Sequence, residues 1–218
     1  MPKVKYKNYC DKSSDEGVFF SLEEKGKAAY CGVSYPTVNS RSAVACERAL
    51  SISGDSFLRR PSLRNEAMET ISHFMSEGIY ILQEPEKEFL CSTAIMYLFK
   101  GQARFFIAGS ACACHFYQGK LLKTIQAADS PFVGQTLKRK DHIEEAISVE
   151  DGQHTFLLCS ISDSFTLEDF LQKTGLSEGA LLEECKDKLF SVPEIKACSV
   201  ALIEIPERKG GIRPRKTE

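Results

Sequence analysis

Apolar residues are densest between Cys91 and Ile125, where the pattern reads as strands in succession. Ser92–Phe99 and Ala103–Gly109 are separated by Lys100-Gly101-Gln102, and Ala113–Ile125 contains a turn at Gln118-Gly119-Lys120. Apolar runs bounded by glycine-containing turns are hairpin signals. Thr93, Ile95, Tyr97 and Phe99 take one face of the first run, and Ala94, Met96 and Leu98 take the other. Neighbouring side chains alternate across a strand, so a run apolar on both faces is covered on both. A central meander buried between layers is expected.

Upstream, Asn8-Tyr9-Cys10-Asp11 opens a short strand, and Val18–Ser21 and Lys27–Val33 are strands joined by the charged turn Glu23-Glu24-Lys25-Gly26. Ser40 or Ser42 caps a helix over Ala43–Ser51, Gly54–Pro61 reads as a loop, and Ser62 to Ile81 as a longer helix. That helix carries an amphipathic stripe of Leu63, Ala67, Met68, Ile71, Phe74, Met75 and Gly78. Downstream come a weak strand at His142–Val149, an apolar strand at Thr155–Ile161, helices over Thr166–Thr174 and Ser177–Phe190, and a last strand at Ala197–Ile205. Thr166 caps the first of these helices, with Glu168 and Asp169 in its first turn, where carboxylates suit exposed backbone N–H groups. Helices segregated from consecutive strands indicate an α+β layered domain rather than an alternating βαβ sheet.

Composition narrows the function classes. Lys and Arg number 28 against 30 Asp and Glu, for a net charge of -2, which does not point to nucleic acid or an acidic membrane as partner. No apolar run approaches the roughly 20 residues that cross a bilayer, and no signal peptide is read at the start. The nine cysteines are an odd number set mostly within apolar elements, which suits buried free thiols in a reducing cytoplasm. The expected organisation is a single domain over residues 1–207 and a disordered, basic tail over 208–218.

Several stretches together resemble the metal-dependent protein serine/threonine phosphatases of the 2C type in their bacterial form. Gly109-Ser110-Ala111-Cys112-Ala113 followed by Gly119-Lys120-Leu121 resembles that family's G-D-S-R-A strand and G-K-L turn. Leu157-Leu158-Cys159-Ser160 resembles its L-L-C-S-D-G-L segment, and Cys91-Ser92-Thr93-Ala94 its G-T-T strand start. Tyr30-Cys31-Gly32-Val33 takes the place of its A-D-G-M-G-G-H turn, and Ala197–Ile205 that of its closing D-N-x-T-V-x-V strand. The resemblance implies a four-layer αββα sandwich: two antiparallel sheets face to face, each covered by a helical hairpin.

The family's chemistry rests on aspartates at strand ends holding two divalent metals and a bridging water. Hard cations require carboxylate oxygens, and a paired site both lowers the pKa of water and clamps phosphoryl oxygens. Here those aspartates align with Cys31 (beside a retained Gly32), Ser110, Ile161 and the pair Lys196 and Ala197. An isoleucine cannot ligate a metal and a lysine would repel one. Only Gln126–Gln153 separates the two motifs between which the family inserts a mobile flap, so a shortened flap is expected.

The expected function is therefore a pseudophosphatase that acts by binding in Ser/Thr phosphorylation signalling, with a phosphoprotein or kinase as partner and no cofactor. The alternative is an active phosphatase using Mn²⁺ or Mg²⁺ on a rearranged site that includes Asp11 and Asp163. Cys112, Cys114 and His115 as a zinc site lack a fourth ligand. Cys31 as a nucleophile lacks the phosphate-cradling arginine that would activate it. His73 and His154 read as single surface or capping residues.

Overall fold

The computed structural model describes residues 3–10, 19–37, 43–85, 88–126, 131–135, 142–143, 146–161 and 197–205. In chain order these form β1 (Lys3–Cys10), β2 (Phe19–Lys25), β3 (Ala28–Pro36), α1 (Ala43–Arg59), α2 (Asn65–Tyr80), β4 (Cys91–Phe99) and β5 (Gln102–Ala108). There follow β6 (Ala111–Tyr117), β7 (Lys120–Gln126), β8 (His142–Ile143), β9 (Ile147–Ser148), β10 (His154–Ile161) and β11 (Ala197–Ile205).

The strands make two antiparallel sheets. One runs β1-β11-β10-β6-β7; the other runs β2-β3-β4-β5, with the short β8 and β9 both on the outer edge of β5. The expected meander is thus divided: β4 and β5 pair in one sheet, β6 and β7 in the other, and β5 does not pair with β6. The crossing falls at Gly109, whose φ of +61° is a left-handed conformation that glycine adopts at little cost. A ring edge of Phe132 lies 2.4 Å from where a Cβ on Gly109 would sit, so the corner is also sterically reserved for glycine.

Two cores follow from strand alternation. Tyr30, Ile95, Tyr97 and Phe106 face α1 and α2, where they meet Leu50, Phe57, Met75 and Ile79. The opposite face supplies Cys31, Val33, Ala94, Met96, Phe105 and Ile107, which pack against Phe156, Leu158, Ala201 and Ile203 of the facing sheet. Burying one such large apolar side chain contributes roughly 1.5–3 kcal/mol. The both-sided apolar character of β4 has this cause: one face serves each core. The described residues thus give α+β layers of helix, sheet and sheet; the helices expected over 166–174 and 177–190 and the tail 208–218 lie outside them.

α1 runs on to Arg59, through the stretch Gly54–Pro61 expected as a loop. Tertiary packing overrides the weak propensity of Gly54: a Cβ there would lie 3.2 Å from the Tyr30 ring, and Ser53 on the same turn shares a 2.7 Å hydrogen bond with the Tyr97 hydroxyl. Glu23, Glu24 and Lys25 belong to β2 rather than to a turn, because β2 is an edge strand with these side chains exposed. The expected strand at His142–Val149 is reduced to β8 and β9.

Candidate functional site

One end of the sandwich gathers the strand termini that the resemblance marks. Tyr35 and Pro36 at the end of β3 pair with Ser92 and Cys91 at the start of β4, and Ser160 near the end of β10 pairs with Ala111 and Ser199. The Ser92 backbone carbonyl accepts two hydrogen bonds, from Ser34 Oγ at 3.0 Å and from Ser160 Oγ at 2.9 Å. The Ser92 hydroxyl in turn accepts the Ser110 backbone N–H at 3.0 Å, which fixes the crossing between the sheets. Ser34 Oγ also lies 2.9 Å from Thr93 Oγ1, and Thr93 Oγ1 lies 3.4 Å from Cys91 Sγ. Ser34 donates its single proton to the Ser92 carbonyl, so Thr93 donates to Ser34 and the Cys91 thiol to Thr93. Ser34, Ser92, Thr93 and Ser160 are all buried. The termini are held by an uncharged network of hydroxyls, backbone groups and a thiol that joins both sheets.

The positions singled out from the sequence separate on the structure. Ser110 joins this network through its backbone, Ile161 ends β10 and Ala197 opens β11 opposite Cys10. Cys31 lies elsewhere, opposite Met96 in mid-strand within the core between the sheets. It is four residues before Tyr35, roughly 13 Å along a strand at about 3.3 Å per residue. Burial pushes its thiol far above the usual range, which keeps it protonated and non-nucleophilic. Gly32 faces the helices, where an added Cβ would meet Leu50 at 2.7 Å and the Tyr30 hydroxyl at 2.8 Å. The inward-facing residue at the end of β3 is instead Tyr35, two positions past Val33 and buried opposite Ser92. Pro36 was the signal available for it, since a proline ends a central strand more reliably than Gly32 does. Asp11, Asp163 and Lys196 lie outside the described residues.

A Mn²⁺ or Mg²⁺ pair needs several carboxylate oxygens. The described side chains at these termini offer a phenol, hydroxyls and a thiol, and these do not fit such a pair. Among the described residues no group of three or more His, Cys, Asp or Glu is arranged to hold a metal ion. Cys112 and Cys114 point away from the inter-sheet core that holds Ala111 and Ala113, and Cys112 stands opposite Cys159. Contact with Cys159 and burial both raise the Cys112 thiol pKa. His115 is on the other face, so the three do not converge.

His154 is not a surface residue. It is buried at the opposite end of β10, with its Nδ1 2.9 Å from Nε2 of the buried His115 and its own Nε2 2.8 Å from the Asp151 carbonyl. The carbonyl can only accept, so neutral His154 carries its proton on Nε2 and receives the His115 Nε2–H at Nδ1. The two rings stack, and His115 also stacks on Phe156. Burial first, then His154 and Lys123, push the His115 pKa down to about 4. The sequence signal was parity: His115 follows Ala111 and Ala113, and His154 precedes Phe156 and Leu158, on inward positions.

The chain matches no protein-family model and no curated protein. Solved structures do match. The serine/threonine phosphatase Stp1 from Staphylococcus aureus superposes with a TM-score of 0.72 at 9% identity, over 95% of this chain and 96% of that one. The S. agalactiae serine/threonine phosphatase gives 0.68 at 13% identity, over 95% and 100% of the two chains. RsbX, in complex with magnesium, gives 0.61 at 15% identity, over 93% and 94%. The fold is phosphatase 2C-like. At these identities the likeness is one of architecture: paired antiparallel sheets with a helical layer. The phosphatase 2C-like scaffold of this chain spans nearly the whole of each compared structure.

Proposed function

We propose that this chain is a catalytically degenerate phosphatase 2C-like protein that works by binding, with a phosphoprotein or its kinase as partner in serine/threonine phosphorylation signalling. The observation that carries this reading is the Ser92 carbonyl held by Ser34 and Ser160. Where the family needs converging carboxylates, two sheets are fastened by neutral hydroxyls, with the buried Tyr35 filling the inward position of β3. A cytoplasmic setting agrees with six described cysteines that are all free and buried, and no described helix is long and apolar enough to cross a membrane.

The test is calorimetric titration with Mn²⁺ together with p-nitrophenyl phosphate hydrolysis. The expected result is neither metal binding nor turnover. Metal-dependent turnover that Asp163→Asn or Asp11→Asn abolishes would establish the alternative, an active enzyme on a rearranged site.

A further inference from the structure

We propose that the outer face of α1 and α2 is where a second copy of this chain docks, through a two-fold axis passing near Phe74. Two large apolar side chains are exposed on one face here, two turns apart: Phe74 is 47% accessible and Ile81 65%. Phe74 and Ile81, with Ile52 and Gly78, border a groove of about 490 Å³ whose remaining lining is Asp55, Ser56, Arg59 and Glu77. Exposed apolar clusters of this kind mark association sites more often than isolated exposed residues do.

Charge placement selects the occupant. The connection between the helices, residues 60–64, is short, so α1 and α2 are antiparallel neighbours. Ile52 meets Gly78, where a Cβ would sit 2.2 Å from Ile52 Cδ1, and this fixes their relative height. At 1.5 Å per helical residue, Arg59 is then about 10 Å from that level toward the connection, Phe74 about 6 Å and Glu77 about 1.5 Å. Phe74 thus lies midway between a cation and a carboxylate. In a two-fold interface residue i meets j while j meets i. An axis at Phe74 therefore brings Arg59 to Glu77 of the second copy, twice over, with Asp55 of the second copy within a turn. Among the described residues, no ion pair engages Arg59 or Glu77 within the chain. A uniformly basic or acidic partner would match one end of this strip and oppose the other, whereas a second copy satisfies both.

Sedimentation velocity on the full chain, from micromolar to millimolar concentration, tests this. The expected result is a concentration-dependent dimer that Phe74→Asp converts to monomer. Arg59→Glu and Glu77→Arg each weaken it, and the double swap Arg59→Glu/Glu77→Arg restores it. These side chains are exposed, and far-UV circular dichroism with a urea midpoint verifies that each variant is folded. A wild-type chain that stays monomeric throughout overturns the proposal. So does a dimer indifferent to Phe74→Asp, or a folded double swap that fails to re-associate.

Discussion

Acidifying this protein from pH 7 toward pH 4 should remove stability through the buried pair of His115 and His154. His115 is 2% accessible, so solvent screens it little. Its folded pKa is held near 4 against 6.5 when exposed, because a proton there would be desolvated and would face His154 and Lys123. A folded pKa below the unfolded one means that the unfolded chain binds more protons throughout that window. The contribution is therefore complete above pH 6.5 and disappears as pH falls toward 4. At about 1.4 kcal/mol per pH unit, the full contribution is roughly 3 kcal/mol, a large share of the 5–15 kcal/mol typical of a domain.

Urea unfolding at half-unit pH steps measures it. The non-titrating His115→Gln keeps an N–H for His154 Nδ1, so its profile carries every acid-sensitive group except this one. The wild-type curve should converge on, and fall relative to, the variant curve by roughly 3 kcal/mol between pH 6.5 and 4. Parallel curves, or a His115 ring proton that titrates near 6.5 by NMR, would refute the reasoning.

Further outcomes follow from the strand ends and the close contacts. Ser92→Ala leaves the Ser110 N–H without its acceptor and should cost about 1–3 kcal/mol in the same urea assay; a neutral result would show the crossing to be held otherwise. Gly32→Ala places a Cβ 2.7 Å from Leu50 and 2.8 Å from the Tyr30 hydroxyl, so a loss of about 1–3 kcal/mol from overpacking is expected. Ser160→Asp sets a carboxylate in the uncharged network, where burial raises its pKa; a rise of about 3 units would destabilise the fold by roughly 4 kcal/mol at pH 7, with the loss shrinking as pH falls toward 4. Added Mn²⁺ should not recover that loss, and recovery would mean that carboxylates absent from the described termini complete a metal site.

The strands were legible wherever hydrophobic alternation acted alone, and β11 runs over Ala197–Ile205 as expected from its apolar pattern. The partition of β4 through β7 between two sheets was not, because a hairpin and a corner both read as apolar runs broken by glycine. Only the left-handed Gly109 under Phe132 and the Ser110 N–H on Ser92 distinguish them, and both depend on residues far away in sequence. The same physics governs the site. A motif comparison that anchors on Gly32 marks Cys31, whereas strand pairing gives the inward position nearest the end of β3 to Tyr35, opposite Ser92. Gly32 itself answers to packing, because Leu50 and Tyr30 approach it too closely for a side chain. Two facing sheets can be joined at their ends by cations between carboxylates or by neutral groups that donate and accept in turn. Intermediate states, with some carboxylates and no cation, bury unpaired charge at a cost of several kcal/mol each. At the described termini of this chain the joint is of the second kind: Ser34 and Ser160, both buried, meet at the Ser92 carbonyl.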